Sequence, residues 1–173
     1  FGWKFHAGDI SDAASVTLDD ADWRTVDLPH DFQIEQPWVA PDKNEKANNS
    51  DMASNVRSRL SARGFKEMGI GWYRYTFTPG EEMKNRRVLV DFEGIMLVGD
   101  VYLNGERIGG TDYGYVGFDI DITHQLKYGQ KNVIAVKADT RNPDNSRWYT
   151  GGGLFRDVHL VLTDPQLYFT RNP

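Results

Sequence analysis

Between Asn142 and Val158 the chain gathers side chains suited to holding a polar ligand with a flat face. Arg147 carries a planar fork of N–H donors that fits carboxylates or hydroxyls. Trp148 and Tyr149 follow with broad aromatic faces, and Asp144 lies just upstream with a carboxylate. Gly151-Gly152-Gly153 then permits a tight turn or close approach of backbone to a ligand. Together these residues suit contact with a carbohydrate, whose C–H face packs on an aromatic ring. An aromatic plug closing the end of a β-sandwich would use the same residues.

Other chemistries find less support. The four histidines, His6, His30, His124 and His159, have no i, i+3 or i, i+4 pairing, so a transition-metal site is not expected. Asp119 and Asp121 could share one strand face, but a hard cation wants six or more oxygens, and a solvated strand face is the simpler reading. The chain has no cysteine, which removes disulfides and thiolate ligands and says nothing of the compartment. The glycine run is followed by neither a Lys-Ser/Thr pair nor a helix, so it is not a nucleotide cradle. No serine sits on a Gly-x-Ser-x-Gly elbow. Paired carboxylates for glycoside hydrolysis are possible in principle among 25 acidic residues, but no pair is singled out by its surroundings, and no metal or cofactor is expected in this chain.

The elements that must position these residues read as strands. Tyr73, Tyr75 and Phe77 alternate with Arg74 and Thr76, giving one aromatic and one polar face. Val88 to Phe92, Val101 to Leu103, Glu106 to Ile108, Val116 to Ile122, Asn132 to Lys137 and Leu154 to Leu162 supply further strands. Asn104-Gly105 is a strong hairpin signal, because both residues tolerate positive φ. Helical signal is limited to single turns near Asp19–Trp23 and Thr123–Leu126. The stretch 36–69 is polar, carries Pro37, Pro41 and the basic cluster Arg57, Arg59 and Arg63, and has no sustained period, so it reads as a long loop, either a surface insertion or part of a site.

Size and charge set the bounds. With 173 residues the chain fits one domain and falls short of the roughly 250 residues of a (β/α)₈ barrel. A net charge of −5 with dispersed lysines and arginines argues against nucleic acid as a partner. No apolar run approaches the ~20 residues of a membrane-spanning helix, so no membrane role is expected. Phe1 and the terminal Thr170-Arg171-Asn172-Pro173 read as the ends of a mature or excised fragment.

Six motifs, in order and spanning almost the whole chain, carry a family resemblance. They are Trp23-Arg24-Thr25-Val26-Asp27-Leu28-Pro29-His30-Asp31, Gly71-Trp72-Tyr73-Arg74, Asp91-Phe92-Glu93-Gly94, Val101-Tyr102-Leu103-Asn104-Gly105, Asn132-Val133-Ile134-Ala135-Val136 and the run Ser146 to Val158. The chain resembles the N-terminal domain of glycoside hydrolase family 2, the family of β-galactosidases, β-glucuronidases and β-mannosidases. The resemblance implies an all-β fold, a jelly-roll β-sandwich similar to galactose-binding domains, over residues 1–165, with 166–173 starting a linker or the next domain. It further implies an immunoglobulin-like domain and a catalytic barrel downstream as partners, and possible homo-oligomers of the full enzyme. The two catalytic glutamates of the retaining mechanism belong to that barrel.

In the family this domain lends loops to the active-site rim. The matching positions are the loop before Gly71 and the segment before Gly151, which makes Asp144, Arg147, Trp148 and Tyr149 the expected contacts to a galactoside. Some members carry an acidic residue at the register where this sequence has Arg147. Ser146-Arg147-Trp148-Tyr149 is similar to β-galactosidases of gut-type bacteria, with a stand-alone carbohydrate-binding module, a β-glucuronidase or a β-mannosidase as alternatives. For His30-Asp31, hydrogen bonding at a strand end is expected ahead of sugar contact, and Trp23 and Trp72 are expected in the core.

Overall fold

The computed structural model describes residues 1–40, 64–141 and 149–168. Among these, the regular structure is two antiparallel sheets and two short 3₁₀ turns, at Gln33–Glu35 and Glu81–Met83. The strands are β1 (Trp3–Ala7), β2 (Arg24–Val26), β3 (Ile70–Phe77), β4 (Arg87–Phe92), β5 (Val98–Leu103), β6 (Glu106–Thr111), β7 (Phe118–Asp121), β8 (Asn132–Asp139) and β9 (Val158–Thr163). The larger sheet runs β2-β1-β3-β8-β5-β6 and the smaller β7-β4-β9.

The two sheets face each other as a sandwich whose core follows from alternation. Trp3 and Phe5 of β1, Tyr73 of β3, Val101 and Leu103 of β5 and Ile134 and Val136 of β8 point inward from the larger sheet. They meet Val88, Val90 and Phe92 of β4, with Leu162 of β9 packed against them. The β5–β6 hairpin turns on Asn104 (φ 53°) and Gly105 (φ 92°), as the dipeptide predicts. Single turns at Trp23 and Gln125 close with Trp23 N–H donating to Asp20 O (3.1 Å) and Gln125 N–H to Ile122 O (3.1 Å).

The polar face of β3 is covered: Ile70, Trp72 and the fully buried Arg74 lie beneath the segment that carries Ala13 and Trp23. Arg74 Nε donates to Asp20 Oδ2 at 2.7 Å, Nη1 donates to the carbonyls of Ala13 and Ser15, and Trp23 lies beside the guanidinium. Trp23 and Trp72 fill this outer core, as expected. The last strand also begins later than the sequence suggests. Residues 152–154 give their backbone groups to other loops: His30 N–H donates to Leu154 O (2.8 Å), Phe32 N–H to Gly152 O (2.9 Å) and Met96 N–H to Gly153 O (2.9 Å). Likewise the expected strand 116–122 is regular only over β7. Arg57, Arg59 and Arg63, and the middle of the long 36–69 segment, lie outside the described residues.

Candidate functional site

One end of the sandwich brings together the loop after β2, the approach to β3, the exit of β8 and the glycine run. The arrangement starts with backbone. Pairing of residues 30–32 with 152–154 requires close approach, and glycine supplies it. A Cβ on Gly153, which sits at φ 106°, would meet the hydroxyl of Tyr73 and the ring of Phe32.

Asp31 is the hub. Its Oδ1 accepts from the backbone N–H of Gly152 (2.8 Å) and of Gln33 (3.0 Å), and its Oδ2 accepts from the Tyr149 hydroxyl at 2.8 Å. Tyr149 keeps 38% of its surface exposed, so it presents a ring to solvent while its phenol is fixed from below. Burial, reinforced by the hydrogen bond and charge of Asp31, pushes that phenol well above its ordinary range. It is therefore a neutral donor at any physiological pH.

Beside the hub a second chain of contacts runs inward. Arg24 Nη2 can only donate, so His30 Nε2, 2.8 Å away, accepts. The proton of neutral His30 then sits on Nδ1 and is donated to the Tyr73 hydroxyl at 2.8 Å, which in turn donates to His30 O at 3.4 Å. Burial, helped by the positive Arg24 and opposed by Glu35, holds the imidazole below its ordinary pKa. Burial pushes the Tyr73 phenol far up. Glu35 completes the group by pairing with Arg24 at 2.5 Å.

A third set of bonds ties in the approach to β3. Thr140 Oγ1 donates to Gln33 Oε1 (2.7 Å), and Gln33 Nε2 donates to Glu67 O (2.9 Å). Gly69 N–H donates to Thr140 Oγ1 (3.0 Å) and Thr140 N–H to Gly69 O (2.9 Å). Three loops distant in sequence thus form one hydrogen-bonded platform.

Of the residues expected to touch a sugar, Tyr149 lies on this platform, while Asp144, Arg147 and Trp148 lie outside the described residues. For His30 and Asp31 the structure gives hydrogen bonding at the loop junction, as expected. Sequence reasoning missed Gln33 and Thr140, whose only signal was their position beside motif residues. Among the described residues no group of three His, Asp or Glu side chains could hold a metal ion, and Asp121 is engaged by Arg87 and Thr123.

Comparison with known proteins places this arrangement. Residues 38–167 match the family described as glycosyl hydrolase 2 galactose-binding domain-like. The β-galactosidase BoGH2A of Bacteroides ovatus is 36% identical over 163 residues, which are 94% of this chain and 17% of that protein. A β-glucuronidase of Formosa agariphila is 29% identical, over 94% of this chain and 16% of its own length. Among solved structures, a β-glycosidase from Bacteroides vulgatus superposes with a TM-score of 0.78 at 39% identity, covering 95% of this chain and 20% of that one. The chain thus spans about a fifth or less of the length of these relatives. It belongs to the galactose-binding domain-like family of glycoside hydrolase family 2 N-terminal domains.

Proposed function

We propose that the chain is the non-catalytic N-terminal domain of a larger glycosidase that hydrolyses terminal β-D-galactosides, and that its loop end forms part of the active-site rim. The observation that carries this reading is the match of nearly all of this chain to a small part of each relative, together with the platform that Asp31 builds under Tyr149. The glutamates that cleave the bond belong to a downstream barrel, reached through an immunoglobulin-like domain. The isolated chain therefore does not hydrolyse glycosides, and it needs no cofactor of its own. On this reading the domain covers residues 1–165, and 166–173 start a linker or the next domain.

The rim acts by positioning. Tyr149, Trp148 and Arg147 offer a face and hydrogen-bond donors to the sugar, with Asp144 accepting from a hydroxyl. Fixing Tyr149 on Asp31 reduces the rotamer freedom lost when the sugar arrives. A β-glucuronidase is the second reading, favoured by Arg147, whose fork fits a uronic carboxylate, and by the relatives named β-glucuronidase.

In the complete polypeptide, Arg147→Ala and Trp148→Ala lower kcat/KM while the melting temperature holds. Unchanged kinetics in both folded variants would falsify the rim assignment. Aryl galactoside and aryl glucuronide, compared side by side, decide the glycone. Titrating the isolated chain with galactosides gives no saturable binding, and tight binding would instead favour a stand-alone carbohydrate-binding module.

A further inference from the structure

We propose that Trp38 is a stacking platform for a second sugar, on the leaving-group side of a longer glycan. This rests on the reading of the loop end as an active-site rim and adds a subsite to it. Of the tryptophans among the described residues, Trp3, Trp23 and Trp72 are buried at 5%, 7% and 4% exposure, whereas Trp38 is 73% exposed. An indole left in water forgoes the burial that its size makes favourable.

The ring is fixed in place. Residues 37–39 and 65–67 form a short antiparallel ribbon, with Val39 N–H donating to Phe65 O (2.7 Å) and Glu67 N–H donating to Pro37 O (2.9 Å). Lys66, itself almost fully buried, places its ammonium 3.9 Å from the centre of the indole and donates to Gln36 O at 2.9 Å. The cation occupies one face of the ring and restrains its rotamer. Among the described residues no second ring or cation stacks on the indole, which at 73% exposure can take a single flat partner on its other face. A pyranose C–H face has that shape, whereas the core of a protein interface would enclose both faces and the edge.

The ribbon also belongs to the rim. Glu67 O is the acceptor for Gln33, and the Cα hydrogens of Gly64 face Tyr149, whose Cδ2 would lie 3.8 Å from a Cβ placed there. Trp38 and Tyr149 thus sit on adjoining parts of one hydrogen-bonded platform, one able to meet the reacting sugar and the other the sugar beyond it.

The test uses the complete enzyme and two substrates with the same glycone, a nitrophenyl glycoside and an oligosaccharide of three or more sugars. In Trp38→Ala the ratio of oligosaccharide to nitrophenyl kcat/KM falls about tenfold through KM, and Trp38→Phe keeps most of the ratio. Trp38→Leu, apolar but without the flat face, shows the same fall and serves if the alanine variant does not fold. An unchanged ratio, or equal losses on both substrates, overturns the proposal. Arg147→Ala is the control for the underlying reading: it lowers both substrates together, and if it lowers neither, the rim itself is misassigned whatever Trp38 does.

Discussion

Tyr73 and Arg74 are neighbours on β3, both fully buried, yet their side chains enter opposite layers and do different work. Arg74 enters the outer layer, where its partners are Asp20 and the carbonyls of Ala13 and Ser15, all in one segment. This charge stitches the segment over the sheet. Tyr73 enters the inner layer, where its hydroxyl meets His30, then Arg24 and Glu35, ending at the loop surface beside Asp31. The lesson is that burial of a polar group does not mark function; where its chain of partners surfaces does.

The largest effect expected is on the structural side. Arg74→Ala leaves Asp20 and two carbonyls without their donor and destabilises the fold by about 3–5 kcal/mol, read from urea midpoints. A small change, or a change in substrate affinity at unaltered stability, would erase the distinction between the two clusters. Tyr73→Phe is milder: it leaves the Nδ1–H of His30 unpartnered at a cost of about 1–2 kcal/mol. Because its network reaches the rim, it also lowers kcat/KM in the complete enzyme, which Arg74 variants that still fold do not.

Acid sharpens the contrast further. Folded His30 titrates below its ordinary 6.5, so on acidification the unfolded chain takes the proton first. Stability is then lost as pH falls below 6.5, until the folded imidazole titrates too. Glu35 adds to the loss at lower pH. Partial burial raises its carboxyl, but the hydrogen bond of Arg24, with the charges of His30 and Arg24, outweighs this and holds it below the ordinary 4.5. Urea midpoints measured between about pH 5 and 8 fall on the acid side, and His30→Gln flattens that dependence. The smallest change in stability comes from Tyr149→Phe, under about 1 kcal/mol for one half-exposed hydrogen bond. Its effect should appear as weaker substrate affinity by kinetics; equal affinity would remove Tyr149 from the rim.

These two clusters also differ in how far the sequence reveals them. Strand alternation, the Asn104-Gly105 turn and the ordered motifs lead to an all-β sandwich from the sequence alone. Arg74, however, stands at an alternating position among aromatics and reads only as part of a polar face, because the segment 8–23 that covers it has no period to announce a layer. Tyr149 was legible from the aromatics and glycines around it. Its bond to Asp31 was not, since the two lie 118 positions apart and one sequence carries no record of which loops meet. Trp38 gave no signal at all: an isolated tryptophan in a polar stretch reads the same whether it is covered or open.

The strand order has a consequence for assembly in time. β8 sits in the middle of the larger sheet, between β3 and β5, although it is the last strand of that sheet to appear among the described residues. Until Asn132–Asp139 is made, no strand among the described residues pairs with both β3 and β5, and the larger sheet stands as two unpaired parts. Such late, non-local closure slows folding and leaves unpaired apolar edges on the unfinished chain. A polypeptide halted before Asn132 thus lacks the strand that closes the larger sheet and leaves the facing edges of β3 and β5 open. Thr140, which anchors the loop platform, follows directly on the strand that unites them.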